Sequence, residues 1–460
     1  MDLQNLELEI LEVGQNPPTG IKPPPRKPKW DDTLAYIADP ERFCRENFQK
    51  YGPIFQTSIF GGTTILVGSA KANQMVFNGD LKYTEIALPA TTMEMFGEYS
   101  LFQRPDLHRQ RKTALRPGLT GSMLKRYLPE IDRTVCNGIK NWQNQSKIAL
   151  YPEVEAICFD ILVPILLGIN FDNGDLEGLP ISSKSELKQL YGTFFDGFYG
   201  LIKWKSPLTA YGRGIAARAK LIELMQGVIN KRRQQEEKID PTKDFLGMML
   251  ASLQENPEGV FSDRLIENQC LLQLWASLYE NAGLDCSVIY QLGRYPQYIE
   301  TLRKEQTANK NNLSLEILKE MIFLEAVIKE TLRTLPPSST ANRKLTKSVI
   351  LEGILYQKDW VIIAEPRIAH NLPEHFQTPE KFNPNRFLPN SKEGKMYEFI
   401  PFGGGVHACL GAQIAMTITK IFIARFLNAF DWNLNGEAKF VNFPLKKIKQ
   451  EYQISIASRC

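Results

Sequence analysis

The distribution of apolar and polar positions along the chain predicts a mainly α-helical protein with a small β region. Residues 125–250 follow a mostly helical pattern, and residues 264–296 form an apolar stretch that predicts one long helix. A second apolar helix is expected over residues 412–430. Residues 55–69 alternate and contain a Gly-Gly pair, which predicts a β-hairpin. The helices therefore form the body, and the hairpin belongs to a small sheet at one side.

The start of the chain has a different character. Residues 17–30 are dense in proline and are expected to be extended, because proline cannot continue a helix and favours the polyproline conformation. Disorder is expected for the first fifteen residues. Nothing later in the sequence resembles a linker between folded units. We therefore expect an extended lead-in over residues 1–29 and a single domain over residues 30–460.

Composition narrows the class of protein. The chain is 43% hydrophobic and 23% charged, which is ordinary for a globular protein with a sizeable core. A net charge of +4 is small for 460 residues and does not indicate a nucleic-acid partner. The seven cysteines are scattered without a C-x-x-C pair, which fits a reducing compartment and excludes a zinc ribbon.

Targeting signals are expected to be absent from this sequence. No apolar window reaches the roughly eighteen residues that a spanning helix needs. The first residues alternate acids with leucine and isoleucine, which does not fit a signal peptide. These features predict a cytoplasmic protein without a membrane anchor, and a monomer is expected.

The strongest chemical signal is residues 402–411, Phe-Gly-Gly-Gly-Val-His-Ala-Cys-Leu-Gly, which we call the cysteine loop. Cys409 comes just before an apolar helix, where unpaired backbone N–H groups and the helix dipole favour the thiolate that binds iron. The glycines allow the backbone to turn sharply and to lie against a flat ligand. The alternative is a glycine-rich turn with an incidental cysteine, since free cysteines are often part of the core.

The spacing Phe-x-x-Gly-x-x-x-Cys-x-Gly in this loop resembles the haem-ligand loop of the cytochrome P450 superfamily. The resemblance implies the fold of that family, a triangular helical body in which haem b lies between a long distal helix and the helix that follows the cysteine. Cys409 then takes the role of the axial iron ligand. The resemblance assigns these loop residues to the cofactor: Cys409, Phe402, Gly403, Gly405, His407 and Gly411.

Three basic positions outside the loop match haem contacts of the family. His108 stands where the family has tryptophan or histidine, and Lys112 replaces the usual arginine four residues later. Lysine is a point charge and not a planar fork, so its pairing with a haem propionate is expected to be looser, or shared with Arg111. Arg343 matches the strand arginine that pairs with a propionate. A solvated basic face is the plainer interpretation of the other arginines nearby.

Two further motifs imply a structural network. Glu330 and Arg333 lie three residues apart on one helix face and can pair, although an isolated E-x-x-R match carries little information. The later segment Phe-Asn-Pro-Asn-Arg-Phe resembles the family motif whose arginine, here Arg386, closes a Glu–Arg–Arg network. By resemblance this network supports the cysteine loop and is not catalytic. His370 is expected either to reach the haem edge or to cap a turn.

The helix predicted over residues 264–296 corresponds to the distal helix of the family, which usually carries small residues followed by an acid and an alcohol for proton delivery. Two registers are open. Counting back from the next segment places residues 276–281 on this motif, whereas the literal match is residues 282–287. A six-residue shift rotates a helix by about 600°, so both registers cannot face the iron, and the first is favoured.

In the favoured register Tyr279 replaces the acid and Glu280 replaces the alcohol, after the small residues Ala276 and Ser277. We expect these four residues to be the catalytic positions. An ionised carboxylate beside an apolar cavity is costly, so Glu280 is expected to be protonated or paired, and to act in, or replace, the proton relay.

The resemblance implies an oxidase that hydroxylates or otherwise oxidises a hydrophobic small molecule, in secondary metabolism, with O₂ and electrons from a ferredoxin- or flavodoxin-type partner. The Met-rich residues 84–103 and the aromatic residues 194–212 fall where the family places the cavity roof and its lid. In composition and order the chain looks most like the branch that contains the retinoic-acid hydroxylases. Alternatives are oxidative phenol coupling, peroxygenase or isomerase chemistry, and a haem carrier or sensor without enzymatic activity.

Overall fold

The computed structural model describes residues 6–12, 14–26, 31–97, 105–200, 202–235, 238–306, 313–338 and 342–459. Most of these residues are helical. The α-helices in chain order are α1 (Thr33–Ala38), α2 (Pro40–Tyr51), α3 (Ala70–Asn78), α4 (Ala90–Phe96), α5 (Pro105–Leu115), α6 (Gly121–Lys140), α7 (Leu150–Leu167), α8 (Lys184–Gly197), α9 (Ala210–Gln235), α10 (Phe245–Glu255), α11 (Asp263–Trp275), α12 (Leu278–Arg294), α13 (Ile299–Gln306), α14 (Leu315–Glu320), α15 (Ile322–Thr334), α16 (Pro366–Ala369) and α17 (Ala412–Ala429).

The strands are short, and in the described residues they form sheets with the orders β2-β3-β9-β6-β4, β1-β7-β8, β10-β13-β5 and β11-β12. This mainly helical architecture with a small β region confirms the predicted fold class. The strands are β1 (Leu8–Ile10), β2 (Ile54–Ile59), β3 (Gly62–Val67), β4 (Thr84–Ile86), β5 (Lys147–Ala149), β6 (Asn342–Leu345), β7 (Val349–Leu351), β8 (Ile354–Tyr356), β9 (Val361–Ala364), β10 (Phe430–Leu434), β11 (Phe440–Val441), β12 (Lys447–Ile448) and β13 (Gln453–Ser458).

The predicted hairpin is formed by β2 and β3. Ile59 lies opposite Gly62, and the two residues between them, Phe60 and Gly61, have φ angles of 55° and 76°. Two consecutive positive φ angles suit a two-residue hairpin, because this turn follows the right-handed twist of the strands. The hairpin therefore confirms the alternating pattern from which it was predicted.

The first residues of the described chain are ordered. β1 pairs antiparallel with β7, with Leu8 opposite Leu351, and Leu11 is buried next to this sheet. The disorder expected for the first fifteen residues is therefore wrong for this strand, because β7 offers a free edge and Leu11 an apolar anchor. In the proline-rich part, single bridges join Lys22 to Ile354 and residue 26 to β2, while residues 27–30 lie outside the described chain.

The helical core is centred on α7 and α12, which are buried over most of their surfaces and pack against each other. α17 packs against α6, α12 and α15, so the helix that follows the cysteine loop runs through the middle of the body. Among the described helices, none combines the length and the apolar character needed to cross a membrane.

The single helix predicted over residues 264–296 is in fact two helices, α11 and α12, separated at Ala276 and Ser277. The Ser277 hydroxyl donates to the carbonyl oxygens of Gln273 at 2.8 Å and Leu274 at 3.3 Å, and the Ser277 N–H donates three residues back to Leu274. Such side-chain bonds compete with the regular backbone ladder and bend helices. The prediction of one continuous helix is therefore wrong at these two residues.

The expected roof and lid lie side by side. Residues 84–97 contain β4 and α4, while residues 98–103 fall outside the described chain. Residues 194–212 contain the end of α8, a turn and the start of α9, with the exception of residue 201, which is not described. Because α4 packs against both α8 and α9, the two predicted segments form one layer.

Candidate functional site

The cysteine loop is a tight bend that ends at α17. The Cys409 N–H donates to the Phe402 carbonyl oxygen at 2.8 Å and so closes the bend. Gly403 and Gly405 have φ angles of 67° and 63°, which strongly favour glycine. A Cβ at Gly405 would also collide with the backbone carbonyl of Phe77, at the end of α3. The glycines are therefore required by the bend itself and by the close approach of α3.

The Cys409 side chain is exposed in front of this bend but crowded by protein atoms. Burial raises the pKa of its thiol to about 11, and the charge of Glu280 adds to this rise. The N–H groups of Gly411 and Ala412 and the ammonium of Lys112 act in the opposite direction. The helix start therefore favours the thiolate as expected, but burial outweighs it, whereas a bound metal ion would deprotonate the sulfur.

Two of the predicted basic side chains, His108 and Lys112, lie against the cysteine loop. The His108 Nε2 atom lies 3.3 Å from the Val406 carbonyl oxygen, and the ring centroids of His108 and His407 are 3.9 Å apart. The Lys112 ammonium donates to the carbonyl oxygens of Val406, at 2.8 Å, and Ala408. Lys112 thus binds the loop itself, which the sequence does not predict.

Arg343, in β6, completes this group, which we call the basic cluster (His108, Lys112, Arg343 and His407). Arg343 is 5% exposed, and within the described chain its Nε has no hydrogen-bond acceptor. Burial lowers the pKa of Arg343 to about 10, while Asp80 opposes this shift. The Nε2 atom of His407 lies 3.0 Å from Asp80 Oδ1, although neither ring nitrogen of His407 makes an aligned hydrogen bond to a described residue.

These features fit an iron porphyrin that carries carboxylate side chains. In the described residues no group of three or more histidine, cysteine or acidic side chains could hold a bare metal ion. A single sulfur at Cys409 instead suits a metal that brings its own equatorial ligands. Buried N–H donors without acceptors, such as the Arg343 Nε, are rare in proteins, and a carboxylate would satisfy them.

The predicted scaffold residues are in contact with one another. Both oxygens of the fully buried Glu330 accept from Arg333, at 2.7 and 2.8 Å. The Nε of Arg386 lies 3.4 Å from Glu330, and the Asn383 N–H donates to the same carboxylate at 2.8 Å. The network therefore joins α15 to the segment that leads towards the cysteine loop.

His370 is fully buried and belongs to this scaffold and not to the haem edge. Its Nδ1 lies 3.3 Å from the Arg333 carbonyl oxygen, and its Nε2 accepts from the Ile400 N–H at 3.0 Å. This pattern assigns the ring proton to Nδ1. Burial lowers the pKa of His370 to about 3, and the Arg333 charge contributes to this shift. Of the two roles considered for His370, the structure supports the turn-supporting one.

Of the two acids predicted as distal candidates, Glu280 is the one whose charge acts on Cys409. Burial raises the pKa of Glu280 to about 7, and a hydrogen bond from the Ser338 side chain acts in the opposite direction. Asp285, the acid of the second register, is fully buried and accepts from the thiol of Cys158 in α7 at 3.7 Å. The two acids therefore have different surroundings, and the register 276–281 stays a prediction.

The remaining distal positions have other surroundings. Ala276 and Ser277 form the break between α11 and α12, and the Ser277 hydroxyl is bound to backbone carbonyls. Tyr279 points towards α8, where its ring centroid lies 4.2 Å from that of Phe195, and the Lys447 ammonium lies 5.4 Å from the Tyr279 ring. The structure does not bring Tyr279 and Glu280 together, since adjacent helical residues point about 100° apart.

A comparison with protein families decides the identity: the family described as cytochrome P450 matches residues 22–455 of this chain. This chain belongs to the cytochrome P450 family. The resemblance inferred from the cysteine loop is confirmed, and with it the enzyme class, a haem monooxygenase. Membership implies haem, an external electron donor and a hydrophobic substrate.

Individual relatives agree with this assignment. The chain is 29% identical to the putative cytochrome P450 120 of Synechocystis sp., over 88% of this chain and 89% of the relative. It is 27% identical to cytochrome P450 26A1 of Xenopus laevis, over 91% of this chain and 86% of the relative. The structure of retinoic-acid-bound cyanobacterial CYP120A1 matches with a TM-score of 0.85 and 27% identity, covering 95% of this chain and 100% of that one. These similarities support the retinoic-acid-hydroxylase-like branch.

Aromatic side chains join the segments predicted as roof and lid to the end of α11. The Trp275 ring, at the end of α11, lies 5.1 Å from the ring of Phe96 and 4.7 Å from that of Phe198. Phe195 joins the group through Trp275 and Tyr279, at 6.2 and 4.2 Å. These rings pack against one another in the apolar core, where the segments predicted as roof and lid meet the end of α11.

Sequence reasoning missed three polar residues of the P450 site. Asp80 contacts His407, Ser338 binds Glu280, and Glu393 accepts from Arg386 at 2.5 Å. Each belongs to a turn or loop, and none falls within a motif of the cysteine loop or the scaffold. A buried acid cannot be recognised from the sequence until the fold shows which cation it meets.

Proposed function

We propose that this P450 is a haem-thiolate oxidase that uses O₂ and two electrons to hydroxylate or otherwise oxidise an apolar small molecule. The observation that carries the proposal is the sulfur of Cys409, held in a closed glycine bend beside the basic cluster. When bound, haem b supplies the activation of O₂ at iron. The residues of the chain bind and orient that group, with Cys409 Sγ as the iron ligand and the basic cluster as the partner of its propionates.

The members of the basic cluster divide this work. Lys112 donates two of its three N–H bonds to the carbonyl oxygens of Val406 and Ala408, so it mainly holds the cysteine loop in place. Arg343 and His407 present buried N–H donors and are the main propionate partners in this proposal. The looser pairing expected of Lys112 has a structural reason here, because its ammonium is already shared.

Glu280 is the proposed distal proton donor. Since burial raises its pKa to about 7, the Glu280 carboxyl holds a proton on one of its oxygens near neutral pH. The Ser338 hydroxyl orients this carboxyl, and Ser277 maintains the helix break beside it. A carboxylic acid with a pKa near the working pH is an effective general acid. Ionisation of Glu280 removes this donor above about pH 7.

The substrate and the partner follow from the roof and from the relatives. One relative is named taxane 10-beta-hydroxylase, and the matching CYP120A1 structure contains retinoic acid. We propose an apolar substrate of similar size and chemistry, oxidised in secondary metabolism. Electrons come from a ferredoxin- or flavodoxin-type protein, and the enzyme acts as a cytoplasmic monomer.

The sulfur ligand is tested by absorption spectroscopy of the reduced, CO-bound enzyme. We expect a Soret band far to the red of that of a histidine-ligated haem, and Cys409→His should shift the band back. Cys136→Ser is the matched control, because Cys136 is exposed on α6 and should leave the spectrum unchanged. A wild-type spectrum typical of imidazole ligation would refute the proposal.

A second candidate keeps the haem but not oxygen insertion: phenol coupling, peroxide-driven oxidation or isomerisation. It is favoured by Tyr279 and Glu280, which stand where the family has its acid and alcohol. Turnover under ¹⁸O₂ distinguishes the two, since hydroxylation places the label in the product and coupling or rearrangement does not.

The role of Glu280 is tested by Glu280→Ala and Glu280→Gln. We expect the amount of product formed per electron consumed to fall by roughly tenfold or more in both variants, because the direct proton donor is absent. Asp285→Asn is the control, since Asp285 contacts α7 and not the distal space. Unchanged turnover and product in Glu280→Ala would exclude the proposed role.

A further inference from the structure

Asp80 is a carboxylate that lies next to the basic cluster, the proposed partner of the haem propionates. Its side chain is 8% exposed, and its Oδ1 lies 3.0 Å from the Nε2 of His407. Burial raises the pKa of Asp80, but His407, Arg343 and His108 outweigh this effect, and the net shift is downward. Asp80 is therefore ionised and compensated by three members of the basic cluster.

The backbone holds Asp80 rigidly in this place. It follows α3 in a turn in which the N–H groups of Lys82, Tyr83 and Thr84 all donate to the Gly79 carbonyl oxygen at 3.0 Å. The same end of α3 carries Phe77, which abuts Gly405. α3 therefore touches the cysteine loop through the Phe77 backbone and through the Asp80 carboxylate.

The Asp80 carboxylate has the same chemistry as a haem propionate and meets the same partners. Within the basic cluster, His407 and Arg343 have buried donors that lack aligned acceptors in the described residues. Asp80 contacts His407, and its charge acts on Arg343. A bound propionate would place a second negative charge next to the first. Like charges in a partly desolvated site repel each other.

We propose that Asp80 is an internal stand-in for a haem propionate: it pairs with His407 and its charge acts on Arg343 before the cofactor binds, and it competes with a propionate for both side chains afterwards. This inference rests on the proposed haem-thiolate function. Asp80 acts through His407 and Arg343 and is thus a positioning residue that limits the affinity for haem. Its presence also stabilises the ferric form, since a nearby negative charge opposes reduction.

The test is the rate of haem transfer from the holoenzyme to excess apomyoglobin, together with the reduction potential. Asp80→Asn keeps the shape and removes the charge, and we expect haem release to slow by roughly tenfold and the potential to become more positive. Asp80→Glu keeps the charge and should retain the wild-type rate within a few-fold. Should Asp80→Asn not accumulate as folded protein, Asp80→Ser carries the same expectation.

A double variant separates competition from a general structural role. In an Arg343→Gln background the slowing by Asp80→Asn should shrink, because one of the contested donors is gone. Asp359→Asn is the matched control: Asp359 pairs with Lys344, the neighbour of Arg343 in β6, at 3.0 Å, and is exposed. This variant should leave both readouts unchanged.

The outcomes separate the two proposals. If wild-type enzyme shows the red-shifted CO band but Asp80→Asn releases haem at the same rate or faster, the role of Asp80 is refuted and the haem-thiolate function stands. An effect of Asp80→Asn that is equally large in the Arg343→Gln background would also refute competition. If the wild-type band is absent, the proposed function itself fails.

Discussion

Two carboxylates, the fully buried Glu330 of the scaffold and the partly buried Glu280 of the predicted distal segment, have very different surroundings. Glu330 accepts two bonds from Arg333, one from the Asn383 N–H, and lies near Arg386. In the part of the chain described here, the hydrogen-bond partner of Glu280 is the neutral hydroxyl of Ser338. One carboxylate is fully compensated by cations, whereas the other retains a strongly raised pKa.

The difference shows which part of the site serves stability and which serves chemistry. A buried ion pair with every oxygen satisfied holds two segments in one arrangement, and losing either partner leaves an uncompensated charge. A buried acid without a cation costs stability, and such groups are typical of positions selected for proton transfer. Three variants or conditions test this contrast.

The largest expected effect is that of Glu330→Gln against Glu280→Gln. Glu330→Gln leaves two buried arginines without their carboxylate and should lower the free energy of unfolding by about 3–5 kcal/mol. Glu280→Gln removes a carboxyl that is costly to bury and should change it by less than about 1 kcal/mol, or increase it. Urea unfolding of the holoenzyme, followed by the Soret band, measures both. Equal losses would show that the two carboxylates are equivalent.

Gly405→Ala should have the next largest effect. The new methyl group meets the Phe77 carbonyl in addition to the unfavourable positive φ, so we expect a loss of roughly 3 kcal/mol and a disturbed CO spectrum. Gly61→Ala provides the control, because Gly61 also has a positive φ but nothing lies within 4 Å of the added carbon. Its cost should be about 1 kcal/mol, with the CO spectrum intact. Similar losses in both variants would contradict a packing requirement at Gly405.

The smallest effect concerns pH and the scaffold. His370 has a folded-state pKa of about 3, so the unfolded chain binds a proton at a higher pH than the folded chain does. The stability contributed by neutral His370 is complete above about pH 6.5 and is lost as the pH falls, by about 2 kcal/mol at pH 5. Unfolding midpoints between pH 8 and pH 5 should show this loss. A His370→Asn variant should be less stable, but its unfolding midpoint should change less between pH 8 and pH 5. If its midpoint falls as much as that of the wild type, another group causes the pH dependence.

Much of the scaffold side could be predicted from the sequence. Glu330, Arg333 and Arg386 lie in short motifs, and their contact follows from helix spacing and from a fold that brings two segments together. The β2–β3 hairpin follows from local alternation and its glycines. These features depend on local rules or on spacing that the chain itself displays.

The rest of the site was harder to predict because its determinants are not local. The break at Ser277 depends on a hydroxyl that bonds to backbone, which an apolar pattern does not report. The N–H groups at the helix start lower the pKa of Cys409 as predicted, but desolvation by neighbours that are distant in sequence outweighs them and raises the net pKa. The partners Ser338 and Asp80 come from loops, where no periodicity identifies which side chain turns inward.

The pairing of β1 with β7 has a practical consequence for handling this protein. β7 is the middle strand of its sheet only because β1 covers it, so a chain shortened to begin at residue 13 would leave a row of unpaired backbone groups beside β7. Bare strand edges recruit other chains and promote aggregation. Removing β1 to improve crystals, or replacing it by a bulky purification tag, would therefore expose the edge of β7 and promote aggregation.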